Sequence, residues 1–358
     1  MNNCRNRSKL YNARFKTKEL RSIGKGRQGI VFVVSRYSNG SQPFAMKITP
    51  YDLASSKRSE SQPAEFEFKN QKCAQSAAPN GVVRVFKLKK CDNFISPSVI
   101  NMPNVQNTLK YNKSRQYVMY MEYCAGGSLK NWLAKQKNIT DNTLLKIMKS
   151  VTGTLYKIQK KYPYFRHNDL HMDNVFVSKR GFLIGDFGWS RVLRMGTNPA
   201  VNTANGTSTA SYWGVGPRTD ARYDHHMFLN EMLYWVKTHR PSRFPKSYAF
   251  LNTVIPDGYR GESDTHVLQW RLKYGDPCPG LPTLRQVILN FRSKLKTVTT
   301  TTRRVSSRRP RIKGPSGRMV YADGSSITLK YLKNIACKRR VSVTGLTKRQ
   351  IVSKIFRV

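Results

Sequence analysis

The chain has 358 residues, with 64 Lys and Arg against 19 Asp and Glu, a formal net charge of +45, and 39% hydrophobic and 11% aromatic residues. That apolar content excludes a wholly disordered chain, and the length suits one large bilobal domain or two ordinary ones. The charge calls for an anionic setting, nucleic acid or an acidic surface among the simplest. No apolar run reaches the ~20 residues of a bilayer helix, and the first residues carry no apolar core of a secretory signal, so no membrane association and an intracellular setting are expected.

In chain order, residues 1–17 form a basic lead-in. Leu20 to about Gly40, rich in Val and Ile and punctuated by Gly, suits a β-hairpin. Ala64–Ser76, with Pro63 near its first turn, reads as a helix. Val82–Leu88 and Tyr117–Tyr123 read as strands flanking a polar loop, Ser96–Arg115. Helical patterns follow at Leu129–Gln136, Asn142–Lys161 and Asp224–Thr238. Residues 296–313 are basic and of low complexity, hence a linker. Residues 314–358 return to a compact pattern with a turn at Ala322-Asp323-Gly324 and helices expected at Thr328–Ala336 and Thr347–Phe356. From 292 onward there are 19 basic residues and one acid, Asp323, yet the preceding 291 still hold 45 basic and 18 acidic groups. The whole chain is cationic. The six cysteines (4, 73, 91, 124, 278 and 337) show no paired spacing and are expected as free thiols in a reducing compartment.

Four segments carry chemistry. Gly24-Lys25-Gly26-Arg27-Gln28-Gly29-Ile30-Val31 spells G-x-G-x-x-G-x-V and runs on into a strand, so it suits a glycine hairpin folded over phosphates better than a dinucleotide turn. Eighteen residues after Gly29, Lys47 sits in the apolar Ala45-Met46-Lys47-Ile48, where a desolvated ammonium requires an anionic partner. His167-Asn168-Asp169-Leu170-His171-Met172-Asp173-Asn174 places an acid and an amide five residues apart, and Asp186-Phe187-Gly188 follows twelve residues after Asn174. Two acids and an amide converging on one site suit metal-assisted phosphoryl transfer.

Together these segments resemble the eukaryotic-type protein kinases over residues 18–295, with the catalytic loop H-x-D-L-x-x-x-N and the D-F-G motif in order. The resemblance implies an α+β, bilobal protein-kinase-like fold, a small β-rich lobe on a mainly helical one, followed by a small basic helical module. It implies ATP and Mg²⁺ as cofactors and γ-phosphoryl transfer to Ser/Thr hydroxyls of a protein. Gly24, Gly26 and Gly29 would cover the phosphates. Lys47 would contact the α/β-phosphates and be fixed by Glu67, with Glu65 the other candidate. Asp169 would accept or orient the hydroxyl proton, His171 would contact the γ-phosphate, and Asn174 and Asp186 would hold the metal. Met121-Glu122-Tyr123-Cys124-Ala125-Gly126-Gly127-Ser128-Leu129 resembles the family's hinge: Met121 is the gatekeeper, Glu122 and Cys124 offer main-chain hydrogen bonds, Val31 and Ala45 roof the adenine and Phe176 floors it. Asp224 would brace the catalytic loop.

The departures carry information too. Asn168 stands where many kinases have an arginine that reads activation-loop phosphate, which implies activity without that phosphate. His171 replaces the usual lysine, and no A-P-E follows Asp186. H-x-D-L-H-x-x-N is also similar to aminoglycoside and choline phosphotransferases, so a small-molecule phosphotransferase is one alternative; a catalytically inactive nucleic-acid-binding or virion structural protein is another. The basic chain and end module are similar to kinases of large DNA viruses of eukaryotes, which implies a host nucleus, cytoplasm or virion. Val343-Thr344-Gly345-Leu346-Thr347-Lys348 resembles SAP-type DNA-binding modules, and 292–358 is expected to bind DNA or RNA without sequence preference. The cationic catalytic segment points to acidic or nucleic-acid-associated substrates. Adjacent His225 and His226 lack any metal-type neighbourhood and are expected as packing residues.

Overall fold

In a computed structural model the described residues are 20–26, 29–34, 43–51, 62–92, 115–192, 196–197, 220–260, 280–291, 311–313, 319–321 and 350. The chain divides into two units, Met1–Lys294 and Leu295–Val358. The first opens with a five-stranded antiparallel sheet of order β1-β2-β3-β5-β4, built from β1 (Leu20–Gly26), β2 (Gly29–Val34), β3 (Phe44–Pro50), β4 (Val85–Asp92) and β5 (Arg115–Glu122). Helix α1 (Pro63–Ala77) lies between β3 and β4 in the chain. Helices α2 (Leu129–Lys135), α3 (Asp141–Lys161), α4 (Tyr223–Thr238), α5 (Pro245–Val254) and α6 (284–291) then form the helical part. Between α3 and α4 lie the short hairpins β6 (Val175–Ser178) with β7 (Gly181–Ile184) and β8 (Arg191–Val192) with β9 (Gly196–Thr197). The architecture is the α+β, sheet-then-helix arrangement expected from the sequence.

The glycine hairpin forms because Gly26 pairs with Gly29 at the end of the β1–β2 ladder. Gly29 is required by space: a Cβ there would meet the Ile48 carbonyl oxygen of β3 at 2.4 Å. Helix α3 buries Leu144, Ile147, Met148, Val151, Leu155 and Ile158, a spacing of three and four residues that makes one apolar stripe. Thr140 caps it, its Oγ1 accepting from Thr143 N at 3.2 Å. That stripe centres the main core, which continues through Phe228, Met232 and Val236 of α4 and Phe250, Leu251 and Val254 of α5.

Helices α1, α2, α3 and α4 fall within a residue or two of their expected bounds. The fourth strand does not. It was expected at Val82–Leu88 but runs Val85–Asp92, because the preceding residues bond elsewhere. Ile184 N donates to Gly81 O at 2.8 Å and Val83 N to Ile184 O at 2.9 Å, so 81–83 cross to β7 instead of pairing with β5.

In the second unit the described part is a two-stranded antiparallel ladder, β10 (Arg311–Lys313) with β11 (Met319–Tyr321), paired Ile312 to Val320 at its centre. Sequence patterning placed 311–313 at the end of the basic linker and gave no strand there, because three residues are too few for a periodic signal. The helices expected at Thr328–Ala336 and Thr347–Phe356 lie outside the described residues. Cys73 and Cys124 are free thiols. Cys91 is disulfide-bonded, a correction to the expectation of six free cysteines: pairing follows Cβ proximity in the fold, which spacing does not report. Among the described residues no helix is long and apolar enough to cross a membrane.

Candidate active site

Lys47 lies mid-β3, opposite Met119 of β5 and only 7% exposed. Its Nζ donates to Glu67 Oε1 at 2.7 Å and to Asp186 Oδ1 at 3.2 Å. Burial disfavours the charged ammonium, but Asp186 and Glu67 outweigh it and hold Lys47 above the ordinary lysine range. Of the two candidate glutamates, Glu67 on α1 therefore makes the contact. Glu65 accepts instead from Tyr117 Oη at 2.9 Å. Enclosure in the cleft works against the charge on Asp186, yet Lys47 wins and holds its carboxyl below the ordinary range.

The segment 167–174 joins α3 to β6 and carries the other polar groups. Its backbone is held from α4: Asp224 accepts the amides of His167 and Asn168, each at 2.8 Å. Asn174, in a 3₁₀ turn, donates through Nδ2 to Asp169 O at 2.8 Å and Asp169 Oδ2 at 2.9 Å. His171 Nε2 lies 3.4 Å from Asp169 Oδ1 and 3.1 Å from Asn174 Nδ2, while its Nδ1 accepts from Asp173 N at 3.2 Å. Asp169, Asn174 and His171 thus form one contiguous set. Asp186 joins Lys47 and Glu67 in a second, and the described contacts tie the two together through the backbone: Gly185 N donates to Asn174 O at 2.9 Å, and His167 Nε2 meets Gly185 O at 3.0 Å.

In the segment expected as the hinge, Met121 pairs with Ala45 across the β3–β5 ladder, and Val31 with Lys47 across β2–β3. Glu122 N is committed to Arg84 O at 2.8 Å, so its amide is occupied within the protein, and Cys124 O accepts from Gly127 N at 3.0 Å. Burial pushes the Cys124 thiol up to about 12, so it stays protonated. Phe176 and Met121 pack against Val83, Cys124 and Leu183. Phe176 also takes the space beside Gly185, where a Cβ would lie 2.8 Å from ring carbons Cδ2 and Cε2. Gly24 and Gly26 lie in β1.

The protein kinase domain family matches residues 17–214, more than half of the chain. The chain belongs to the protein kinase family. It is 32% identical over 88 residues to the serine/threonine-protein kinase ppk16 of Schizosaccharomyces pombe, covering 24% of this chain and 13% of that protein. It is 22% identical over 299 residues to a candidate serine/threonine-protein kinase of Acanthamoeba polyphaga mimivirus, covering 68% and 62%. It is 27% identical over 133 residues to Aurora/IPL1-related protein kinase 2 of Caenorhabditis elegans, covering 33% and 43%. The chain thus spans between 13% and 62% of the length of these curated relatives.

The kinase site also contains contacts that motif reading did not report. Asn168, in the left-handed region at φ 65°, donates from Nδ2 to Trp189 O at 2.9 Å, and Asn70 of α1 donates to Ser190 O at 2.9 Å. The segment after D-F-G is therefore tied to both the catalytic loop and α1 by neutral amides. Arg180, at the β6–β7 turn, pairs through Nε and Nη2 with Glu122 and donates to Pro79 O at 2.7 Å and Val82 O at 3.0 Å. Neither a lone helix asparagine such as Asn70 nor an isolated turn arginine carries a sequence pattern. Trp213 and the Gly214–Pro217 stretch lie outside the described residues.

A nucleotide–metal pair fits these residues. Asp186 and Asn174 offer hard oxygen donors of the kind Mg²⁺ takes when phosphates and water complete its shell, and the Asp186 carboxyl is held ionised. Among the described residues no group of three or more His, Cys, Asp or Glu is placed for a metal cage, so the phosphates would complete the coordination.

Proposed function

We propose that this chain is an ATP-dependent protein kinase that transfers the γ-phosphoryl group to Ser or Thr hydroxyls, with Mg²⁺ and ATP as cofactors. The observation that supports this best is Lys47 bonded at once to Glu67 and Asp186, a buried cation joined to the helix carboxylate and to the D-F-G acid in one continuous set. In this reading Lys47 binds the α/β-phosphates beneath Gly24, Gly26 and Gly29, and Glu67 fixes it. Asp186 and Asn174 would hold Mg²⁺, which neutralises charge on the phosphates as they transfer. Asp169, oriented by Asn174, accepts the proton of the incoming hydroxyl. His171 adds a hydrogen-bond donor toward the transferring group. Val31 and Ala45 roof the base, Phe176 floors it, Met121 gates the pocket behind it, and the carbonyl of Glu122 and main chain of Cys124 bind its edge.

Intact Lys47, Glu67, Asp169, Asn174 and Asp186 weigh against an inactive structural protein. The long helical part after Asp224 weighs against a small-molecule phosphotransferase. The names of two of the three relatives support Ser/Thr as acceptor, and the mimivirus likeness supports a viral setting. Acidic or nucleic-acid-associated proteins are the proposed substrates, since residues 1–291 remain strongly cationic. The test is transfer from γ-labelled ATP to panels of acidic and basic proteins, with phosphoamino-acid analysis. Label on Ser or Thr of the acidic panel is expected. Transfer only to sugars or choline, or ATP bound without any transfer, would sink the proposal.

A further inference from the structure

Helix α4 carries a second carboxylate, Glu231, seven residues and so about two turns from Asp224 on the same side of the helix. Asp224 holds the start of the catalytic loop through His167 N and Asn168 N. Glu231 Oε2 accepts from Met172 N, at the loop's far end. Asp169 lies between the two anchored points. Met172 is 3% exposed, and a buried amide without a partner is costly, so a competing conformation of the loop that loses this bond is disfavoured. The neighbouring amides have their own partners: Asp173 N uses His171 Nδ1 and Asn174 N uses His171 O. Burial pushes the Glu231 carboxyl up, and the Met172 amide and His171 oppose it.

We propose that Glu231 is a positioning residue for phosphoryl transfer, the second of two α4 carboxylates that hold the catalytic loop as an arch; this rests on the kinase reading above. The loop's two functional side chains touch across that arch, Asn174 Nδ2 bonding both the carbonyl and the carboxylate of Asp169. Freeing residue 172 therefore moves Asn174 relative to Asp169 and degrades the placement of metal ligand and base together. Misplacement on that scale is felt in the chemical step more than in nucleotide binding. The required property of Glu231 is an acceptor oxygen at the right reach, not its charge.

The experiment is steady-state transfer of γ-labelled phosphate from MgATP to dephosphorylated casein by the full chain and two variants. Glu231→Gln, which keeps an acceptor at the same reach, is expected to hold kcat within about threefold of wild type. Glu231→Asp, one methylene too short, is expected to lower kcat about tenfold or more with KM for ATP within about twofold. Hydrogen exchange of the peptide covering Met172 supplies a readout in the folded protein, faster in Glu231→Asp and unchanged in Glu231→Gln. Equal loss in both variants, a KM rise without a kcat loss, or full activity in Glu231→Asp overturns the proposal. Wild type that labels neither casein nor itself would overturn the kinase reading instead.

Discussion

Lys47 is the residue on which the site turns, because a buried cation there meets one buried carboxylate, Glu67, and one solvent-facing carboxylate, Asp186. Replacing it by Met removes the cation between Glu67 and Asp186 and leaves two carboxylates facing each other. Lys47→Met is therefore expected to raise KM for ATP as well as lower kcat, whereas Asp169→Asn keeps the phosphate cradle and loses the base. Fluorescent-nucleotide binding with Asp169→Asn should match wild type while transfer falls below about a tenth; more residual activity contradicts the assignment of the base. Gly185 offers a second test at this scale. Its backbone is pinned on both sides, by Asn174 O and His167, so an added Cβ must displace the Phe176 ring. Gly185→Ala is expected to raise KM for ATP about tenfold, and Phe176→Leu in the same chain to restore most of it. Simple additivity of the two changes, measured in a double-mutant cycle, would refute the steric coupling.

Helix α4 brings buried titratable groups together, and its imidazoles set an acid limit. Burial holds His225 down to about 4 and His226 down to about 3, the first against Pro282 O at 3.0 Å and both inside the helical core. Both fold as neutral rings. A histidine depressed in the folded state is protonated first in the unfolded one, so its stabilisation is complete above about pH 6.5 and is lost as pH falls toward the folded value. Stability should drop below pH 6.5 by up to about 1.4 kcal/mol per pH unit for each ring. Urea unfolding between pH 7 and 5 checks this; a His226→Phe variant with an unchanged pH slope would show that the ring is not responsible. The β6–β7 hairpin supplies the other element-scale test. Arg180 at its turn bonds the hinge carboxylate and two carbonyls of the segment after α1, with side chains about one-fifth exposed. Arg180→Ala leaves Glu122 without its cation and is expected to cost about 2–3 kcal/mol, read from the urea midpoint.

For the whole molecule the charge distribution is the feature that the partner tests probe. The 19 basic residues after 291, opposed by one acid, favour phosphate neutralisation on a nucleic-acid backbone. The full chain is expected to bind double-stranded DNA with a steep negative slope of log affinity against log salt, and a chain ending at Lys294 to show a shallower one. Identical slopes would remove the nucleic-acid role from the second unit. Arg303-Arg304-Val305-Ser306 and Arg339-Arg340-Val341-Ser342 resemble sites of basophilic kinases, but a cationic catalytic unit approaches them poorly, so another enzyme is the expected modifier. ATP-dependent labelling of Ser306 or Ser342 within the chain, absent in Asp169→Asn, would contradict this.

The order of Gly24–Val31, Lys47, His167–Asn174 and Asp186–Gly188 was legible in the sequence because each group is short, local and built of few residue types. Helices α1 to α4 were legible for the same reason: apolar periodicity and capping act within one element. What tertiary structure decided lies between elements. Glu67 and Glu65 stand two residues apart on one helix, and only the packing of α1 on the sheet gives Lys47 to the first and Tyr117 to the second. The fourth strand starts at Val85 because 81–83 bond to β7, a partner about a hundred residues away. Glu231 and Arg180 belong to no motif, and only the fold sets one against the Met172 amide and the other against Glu122. Periodicity and motif spacing record forces along the chain, whereas ion pairs and backbone anchors across it depend on distances that only the assembled core fixes.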